Sequence, residues 1–133
     1  MADQIAVGPI HHLGITVSDM ERAIQFYTDV LGFQLVAEFG PKRIISNGSV
    51  MIGLGPAAGG SGAGDRFDES RVGLDHLSFS VGSRADLEQA LAALDVRGVP
   101  HGEINDLAPF QISILAFRDP DNIQLELTAP YSA

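Results

Sequence analysis

The chain has 133 residues, the length of one domain of ordinary size, and it contains no cysteine. The lack of cysteine excludes disulfide bonds, thiolate metal sites and cysteine nucleophiles, so any metal must be held by His, Asp or Glu. Eight Lys and Arg against 17 Asp and Glu give a net charge of −9, which argues against nucleic acid or an anionic membrane surface as a partner.

The hydropathy of the chain and its first residues indicate a soluble protein. No stretch approaches about 18 consecutive apolar residues, the length that crosses a membrane. Residues 1–5 contain neither the basic nor the apolar segment of a secretory signal peptide. We therefore expect a cytoplasmic protein.

The first half of the chain predicts a strand, a helix and three further strands. Residues 10–17 alternate loosely between branched apolar and polar side chains, as in a half-buried strand. A helix is expected at 19–31, because Asp19 offers an N-cap, apolar residues recur at steps of three and four, and Gly32 is a common stop. The strands that follow are expected at about 33–39, 42–46 and 49–54.

The second half predicts the same order of elements. A strand is expected at 73–81, and Ser83 with Asp86 resembles the capping box that opens a helix. Apolar residues then recur at helical spacing until Gly98 ends the pattern. The last strands are expected at about 99–104, 110–118 and 122–128.

The composition between the two halves indicates a connector. Residues 55–64 hold five glycines, three alanines, a proline and a serine, which is typical of a flexible linker, although a lid over a pocket is an alternative. We therefore predict one compact α+β domain with a first βαβββ module at 1–56, a linker at 57–71 and a second βαβββ module at 72–133.

Two short segments indicate that the halves are copies of one unit. Residues 12–17 (HLGITV) and 76–81 (HLSFSV) agree in residue type at every position except where Gly14 corresponds to Ser78. Each segment begins with a histidine, and the two histidines lie about half a chain length apart. A duplicated scaffold with an imidazole at the same point of each copy is a natural way to build a metal site.

Three of the predicted strands, those at 10–17, 73–81 and 122–128, are apolar on one face and polar on the other, because successive side chains of a strand alternate. The apolar faces are expected to pack under the two helices. The polar faces would either meet solvent or line a concavity. On the polar faces lie His12, Thr16, His76, Ser78 and Glu126.

His12, His76 and Glu126 form a set of two imidazoles and one carboxylate. Such a set suits divalent iron, manganese, nickel, cobalt or zinc, and it leaves positions open for a substrate or for oxygen. The alternative is that all three are ordinary strand residues, with Glu126 paired to Arg118 or another base. The repeat, which pairs the two histidines, favours the metal site.

Three runs of sequence resemble the vicinal oxygen chelate superfamily, which includes glyoxalase I, extradiol dioxygenases, fosfomycin-resistance enzymes and bleomycin-binding proteins. They are residues 12–33, 73–76 (GLDH) and 117–126 (FRDPDNIQLE), so the resemblance spans nearly the whole chain. It implies two βαβββ modules that form a cupped mixed sheet around a divalent metal. It also implies that the three predicted ligands occupy the metal-binding positions of the superfamily.

The chain departs from three of these groups at one position each. Gly53, or Ile52 if the alignment shifts by one, replaces the fourth ligand of glyoxalase I, a glutamate. Ala116 replaces a tyrosine of extradiol dioxygenases, and Gly14 replaces a threonine of fosfomycin-resistance enzymes. These departures disfavour the ordinary reaction of each.

We predict a divalent-metal-dependent enzyme that binds a small molecule through two neighbouring oxygens. Three ligands favour an iron-dependent dioxygenase; the alternatives are a glyoxalase-like lyase or isomerase, and a binding protein of the bleomycin-resistance type that performs no chemistry. Exposed sheet edges and the resemblance predict a homodimer.

No residue stands out as the acid or base of the reaction. Polar or aromatic residues near the predicted strands could serve or could only pack: His11, Arg43, His101, Gln111 and Tyr131. The predicted contacts to the substrate are Thr16, Arg43, Ser78, Gln111 and Tyr131.

Overall fold

The computed structural model describes residues 3–60 and 64–131. Residues 61–63 of the predicted linker, and the outermost two residues at each end of the chain, lie outside the described part. The chain forms two compact units, Met1–Ala63 and Gly64–Ala133. Each unit contains one long helix and one four-stranded mixed sheet, so the predicted α+β class with two tandem βαβββ modules is confirmed.

The first unit begins with a strand and a capped helix. Strand β1 spans His12–Val17 and helix α1 spans Met20–Asp29. The Asp19 carboxylate accepts from Arg22 N at 3.1 Å, which caps the first turn. Gly32, with a φ of 72°, lets the chain leave the helix. The remaining strands are β2 (Gln34–Phe39), β3 (Lys42–Ser46) and β4 (Met51–Pro56).

The second unit repeats this order. It contains β5 (Leu77–Ser80), α2 (Arg84–Val96), β6 (Asn105–Leu107), β7 (Ile112–Arg118) and β8 (Gln124–Pro130). The strand order is β1-β4-β3-β2 in one sheet and β5-β8-β7-β6 in the other. In each sheet the first and last strands of the unit pair in parallel and the other pairs are antiparallel. The duplication visible in the sequence is therefore a duplication of topology.

One predicted strand is wrong. The strand expected at 99–104 lies instead at Asn105–Leu107, and residues 99–104 contribute only an isolated bridge between His101 and Phe117. Pro100 has no N–H to donate to a ladder, so this segment approaches β7 only through single bonds such as Gly102 N to Ala116 O at 2.8 Å.

Apolar side chains between helix and sheet form a core within each unit. In the first unit, α1 packs against β2 and β4; its buried residues are Val17, Ala23, Tyr27, Phe33, Ile45, Ile52 and Leu54. In the second, α2 packs against β7 and β8; its buried apolar residues are Leu87, Leu94, Leu115, Phe117, Leu125, Leu127 and Ala129. Burial alternates along β8, and its polar residues Gln124, Glu126 and Thr128 lie on the less buried face.

Part of the predicted linker belongs to the second unit. Phe67 N donates to Asp121 O at 2.9 Å, and Asn122 Nδ2 donates to Phe67 O at 3.0 Å. These bonds tie the segment to the turn between β7 and β8. Within the described residues, no helix is both long enough and apolar enough to cross a membrane.

Candidate functional site

Two of the three predicted metal ligands lie side by side in the second unit. Strands β5 and β8 are parallel neighbours, and Ser78 pairs in register with Glu126. His76, just before β5, places its Nε2 3.7 Å from Glu126 Oε1. The Glu126 side chain is only 13% exposed, and a carboxylate so far buried needs polar partners.

The other nitrogen of His76 is held by a carboxylate. His76 Nδ1 lies 2.8 Å from Asp75 Oδ1. Gln124 Nε2 in turn donates to Asp75 Oδ1 at 2.8 Å. In a neutral ring this contact keeps the proton on Nδ1 and leaves a lone pair on Nε2, the nitrogen nearer Glu126.

Hydroxyl groups hold Glu126 from its own strand and from the neighbouring one. Thr128 Oγ1 donates to Glu126 Oε1 at 3.3 Å, and Ser78 Oγ lies 2.5 Å from Thr128 Oγ1. Because Thr128 uses its one proton on the carboxylate, Ser78 donates to Thr128. The chain of hydroxyls therefore ends on the carboxylate and orients it.

The third predicted ligand, His12, is the first residue of β1 in the first unit, and it is exposed. Its Nδ1 lies 2.9 Å from His11 Nδ1, and the two rings meet edge to face with centroids 5.1 Å apart. In both units, therefore, the residue before the histidine contacts Nδ1. Within neither unit do the described residues include three or more His, Asp or Glu grouped to hold a metal ion.

The register of the first sheet shows which residue corresponds to Glu126. Gly14 pairs with Gly53 between β1 and β4, as Ser78 pairs with Glu126 between β5 and β8. Gly14 corresponds to Ser78 in the repeat, so Gly53 corresponds to Glu126. Ile52 is fully buried on the apolar face. The first unit thus has no carboxylate at the position where the second has one.

The residues predicted to contact a substrate are spread over the sheets. Thr16 is exposed on the same face of β1 as His12, and Ser78 lies beside Glu126 in register. Arg43 on β3 is paired with Glu38 at 3.4 Å.

The last two predicted contacts to the substrate, Gln111 and Tyr131, lie together at one end of the β7–β8 hairpin, and Gln124 lies at the other end. Gln111 immediately precedes β7 and its carbonyl accepts from Tyr131 N, just beyond β8, at 3.0 Å. Of the five predicted contacts, the structure therefore places only Ser78 next to the donor pair of the second unit.

Arg118, the expected alternative partner of Glu126, and His101, a candidate acid or base, each pair with another carboxylate. Arg118 binds both oxygens of Glu69 at 2.8 and 2.7 Å, so it is the partner of Glu69 rather than of Glu126. The hydrogen bonds from Arg118 lower the pKa of Glu69 from 4.5 to about 2. His101 Nε2 lies 2.5 Å from Asp95 Oδ1, and this contact raises the pKa of His101.

Sequence reasoning assigned no role to Asp75 or Gln124. The signals were present: Asp75 directly precedes a predicted ligand, and Gln124 lies two residues before another on the same strand face. Their contact joins residues 49 positions apart, so no local pattern reveals it.

Comparison with known proteins gives consistent matches over most of the chain. The model of the Glyoxalase/Bleomycin resistance protein/Dioxygenase superfamily matches residues 9–127. The chain is similar to the uncharacterized protein YwkD of Bacillus subtilis (strain 168), with 33% identity over 125 residues that cover 89% of this chain and 94% of YwkD.

Solved structures show the same similarity. The glyoxylase/bleomycin resistance protein/dioxygenase domain from Frankia sp. EAN1pec is 32% identical, with a TM-score of 0.80 over 96% of each chain. Lactoylglutathione lyase from Agrobacterium tumefaciens is 20% identical, with a TM-score of 0.72 over 92% of this chain and 94% of that one. At the lower identity the likeness shows the fold alone.

Proposed function

This chain belongs to the glyoxalase/bleomycin resistance protein/dioxygenase superfamily, the family that its sequence resembles, and we propose that it is a divalent-metal-dependent enzyme. Its substrate would be a small molecule that binds the metal through two neighbouring oxygens. The metal ligands would be His12, His76 and Glu126. The observation that carries this proposal is the pair of donor atoms in the second unit, His76 Nε2 and Glu126 Oε1, 3.7 Å apart.

The donor pair fits a divalent ion in its spacing and in its chemistry. A separation of 3.7 Å is too long for a hydrogen bond, but two donors bonded to one ion at about 2.1 Å can lie up to about 4.2 Å apart. Imidazole and carboxylate together suit Fe²⁺, which we favour, and also Mn²⁺, Ni²⁺, Co²⁺ and Zn²⁺. When bound, such an ion supplies Lewis acidity to the oxygens of a chelating molecule.

The neighbouring residues would hold the carboxylate and contact the substrate. Ser78 and Thr128 fix Glu126 through their hydroxyls. In the first unit, a Cβ built on Gly14 meets nothing within 4 Å, so the polar face of β1 is open beside His12. We assign Thr16 and Ser78 as polar contacts to the substrate, because they share the faces of His12 and Glu126.

The reaction that we favour is of the dioxygenase type. A lyase or isomerase that moves a proton between carbon atoms needs a base, and a carboxylate is a common one. Gly53, which corresponds to Glu126 in the first sheet, supplies none. The absence of that carboxylate supports the oxygenase over the glyoxalase-like alternative.

Metal analysis of protein purified without chelators tests the proposal. We expect about one divalent ion per chain in the wild type and loss of most of it in His12→Ala, His76→Ala and Glu126→Ala. Glu103→Ala, which removes an exposed carboxylate of the second unit, is the matched control and should retain the ion. Retention in all three ligand variants would refute the site.

The dependence of turnover on oxygen then distinguishes a dioxygenase from a lyase or isomerase. Oxygen uptake that requires added Fe²⁺ supports the dioxygenase, whereas turnover under nitrogen with Ni²⁺ or Zn²⁺ supports a lyase or isomerase. If the wild type and His76→Ala bind small molecules equally well and neither converts them, the chain is a binding protein of the bleomycin-resistance type.

We also propose a homodimer. Strand β2 lies at the edge of the first sheet and is exposed at every residue. Its apolar side chains include Phe39, which is 74% exposed, and uncovered apolar edges promote association. Sedimentation equilibrium should give twice the mass of one chain, and a monomer at micromolar concentration would contradict the proposal.

A further inference from the structure

The loop before β5 places a carboxylate against the ring of His76. Asp75 Oδ1 lies 2.8 Å from His76 Nδ1. A carboxylate only accepts hydrogen bonds, so the neutral ring keeps its proton on Nδ1 and its lone pair on Nε2. Nε2 is the atom 3.7 Å from Glu126 Oε1. The Asp75 contact therefore selects which nitrogen presents a lone pair towards Glu126.

Gln124 holds Asp75 in this position. Its Nε2 donates to the Asp75 carboxylate at 2.8 Å and lies 3.3 Å from the Asp75 carbonyl oxygen. Gln124 is the first residue of β8 and shares a strand face with Glu126, two residues further on. One strand thus provides both the carboxylate near Nε2 and the amide that anchors the carboxylate at Nδ1.

The hairpin of β7 and β8 also anchors the preceding part of the loop. Arg118 binds Glu69 through two nitrogens, at 2.8 and 2.7 Å. Asn122 Nδ2 donates to Phe67 O at 3.0 Å. With Asp75 the loop has three attachments to one hairpin, so the chain enters β5 in a defined direction.

The first unit differs at the equivalent position. There His11, an imidazole, contacts His12 Nδ1 at 2.9 Å. An imidazole nitrogen can donate or accept, so this contact does not select one tautomer of His12. Among the described residues, the second unit alone has a carboxylate at Nδ1 of this histidine.

We propose that Asp75 and Gln124 are positioning residues that fix His76 with its proton on Nδ1 and its Nε2 lone pair towards Glu126. The consequence for metal binding rests on the proposed function. The orientation of the ring does not, because it follows from contacts within the protein. The two can therefore be tested separately.

The first measurement is the tautomer of His76 in metal-free protein, by long-range ¹H–¹⁵N NMR at a pH where the ring is neutral, with His76→Gln identifying the signals. We expect Nδ1–H in the wild type, a shift to mostly Nε2–H in Asp75→Ala, and a smaller shift in Gln124→Ala. Asp75→Asn keeps an accepting oxygen and should restore Nδ1–H. Asp65→Asn, an exposed aspartate of the same unit, is the matched control.

An Nε2–H ring in the wild type, or no change in Asp75→Ala, would overturn the proposal. Unfolding is not expected to obscure the result, because the Asp75 side chain is 60% exposed. If Asp75→Ala does not fold, the comparison of Gln124→Ala with the wild type decides the question.

The second measurement is calorimetric titration of the same metal-free proteins with Zn²⁺ alone. Loss of a partner behind a ligating histidine weakens metal binding by roughly 10- to 100-fold, so we expect this loss in Asp75→Ala and none in Asp65→Asn. Equal affinity in wild type and Asp75→Ala would overturn the contribution of Asp75 to metal binding and leave the metal site standing. A wild type that binds no Zn²⁺ would overturn the proposed function, while the NMR result alone would decide the positioning role.

Discussion

Placing a carboxylate at Gly53 would test the correspondence between the two sheets. Gly53 pairs with Gly14 as Glu126 pairs with Ser78. The substitution Gly53→Glu therefore puts a carboxylate on the face of β4 that corresponds to the Glu126 face of β8. If His12 is a metal ligand, as proposed, this change adds a potential fourth ligand beside it.

The cost of the substitution follows from the space around Gly53. A Cβ built there would lie 3.6 Å from Ile44 Cδ1 and 3.8 Å from Leu13 O, both ordinary contacts. Replacing a strand glycine by alanine without strain stabilises a protein by about 0.4–1 kcal/mol, because the unfolded chain loses freedom. We expect Gly53→Ala to raise the free energy of unfolding by that amount, and Gly53→Glu to lie within about 1 kcal/mol of the wild type.

Urea unfolding and Zn²⁺ titration measure the two effects. An added carboxylate ligand should tighten Zn²⁺ binding by about tenfold or more, equivalent to about 1.4 kcal/mol, in Gly53→Glu relative to Gly53→Ala. If Gly53→Ala lowers the free energy of unfolding by more than about 2 kcal/mol, the space around Gly53 does not accept a Cβ as described. A folded Gly53→Glu with unchanged Zn²⁺ affinity would refute the placement of residue 53 beside a metal ligand.

Three further predictions concern stability. Glu69→Gln should lower the melting temperature at neutral pH, because the ionised Glu69 carboxylate is stabilised by its bonds to Arg118. The pKa of Glu69 is lowered from 4.5 to about 2, so the difference in melting temperature from the wild type should vanish as the pH falls through this range. The contact with Asp95 raises the pKa of His101, so its stabilisation should be complete below pH 6.5 and disappear as pH rises through the raised value; an equal pH profile in Asp95→Asn would contradict this. Leu115→Ala, at a fully buried position of β7, should lower the free energy of unfolding by about 2–5 kcal/mol in urea titrations, and a loss below 1 kcal/mol would show that the site is not packed as described.

The sequence predicted both helices because their signals are local. Asp19 caps α1, and Ser83 with Asp86 forms the capping box of α2, as their spacing indicates. Strand faces were predictable for the same reason, since alternation is a property of neighbouring residues. The internal repeat then indicated that the second half has the topology of the first, which the two strand orders confirm.

The strand at 99–104 was not predictable, because pairing decides where a strand lies. Pro100 and Gly102 disfavour a strand in this segment, but only the pairing of β7 with Asn105–Leu107 shows where the strand lies instead. The choice between Gly53 and Ile52 was open for a similar reason. A shift of one residue exchanges the two faces of a strand, and only the register of β1 with β4 decides between them.

By itself the sequence determined the family, the duplicated topology and the strand faces that carry His12 and Glu126, since residue type and spacing encode these features. Only the tertiary structure showed that His76 Nε2 lies near Glu126, that Gln124 holds Asp75 behind the ring, and that Arg118 binds Glu69. Those contacts join side chains up to 50 positions apart, and their partners are chosen by strand pairing and loop path rather than by any pattern of neighbouring residues.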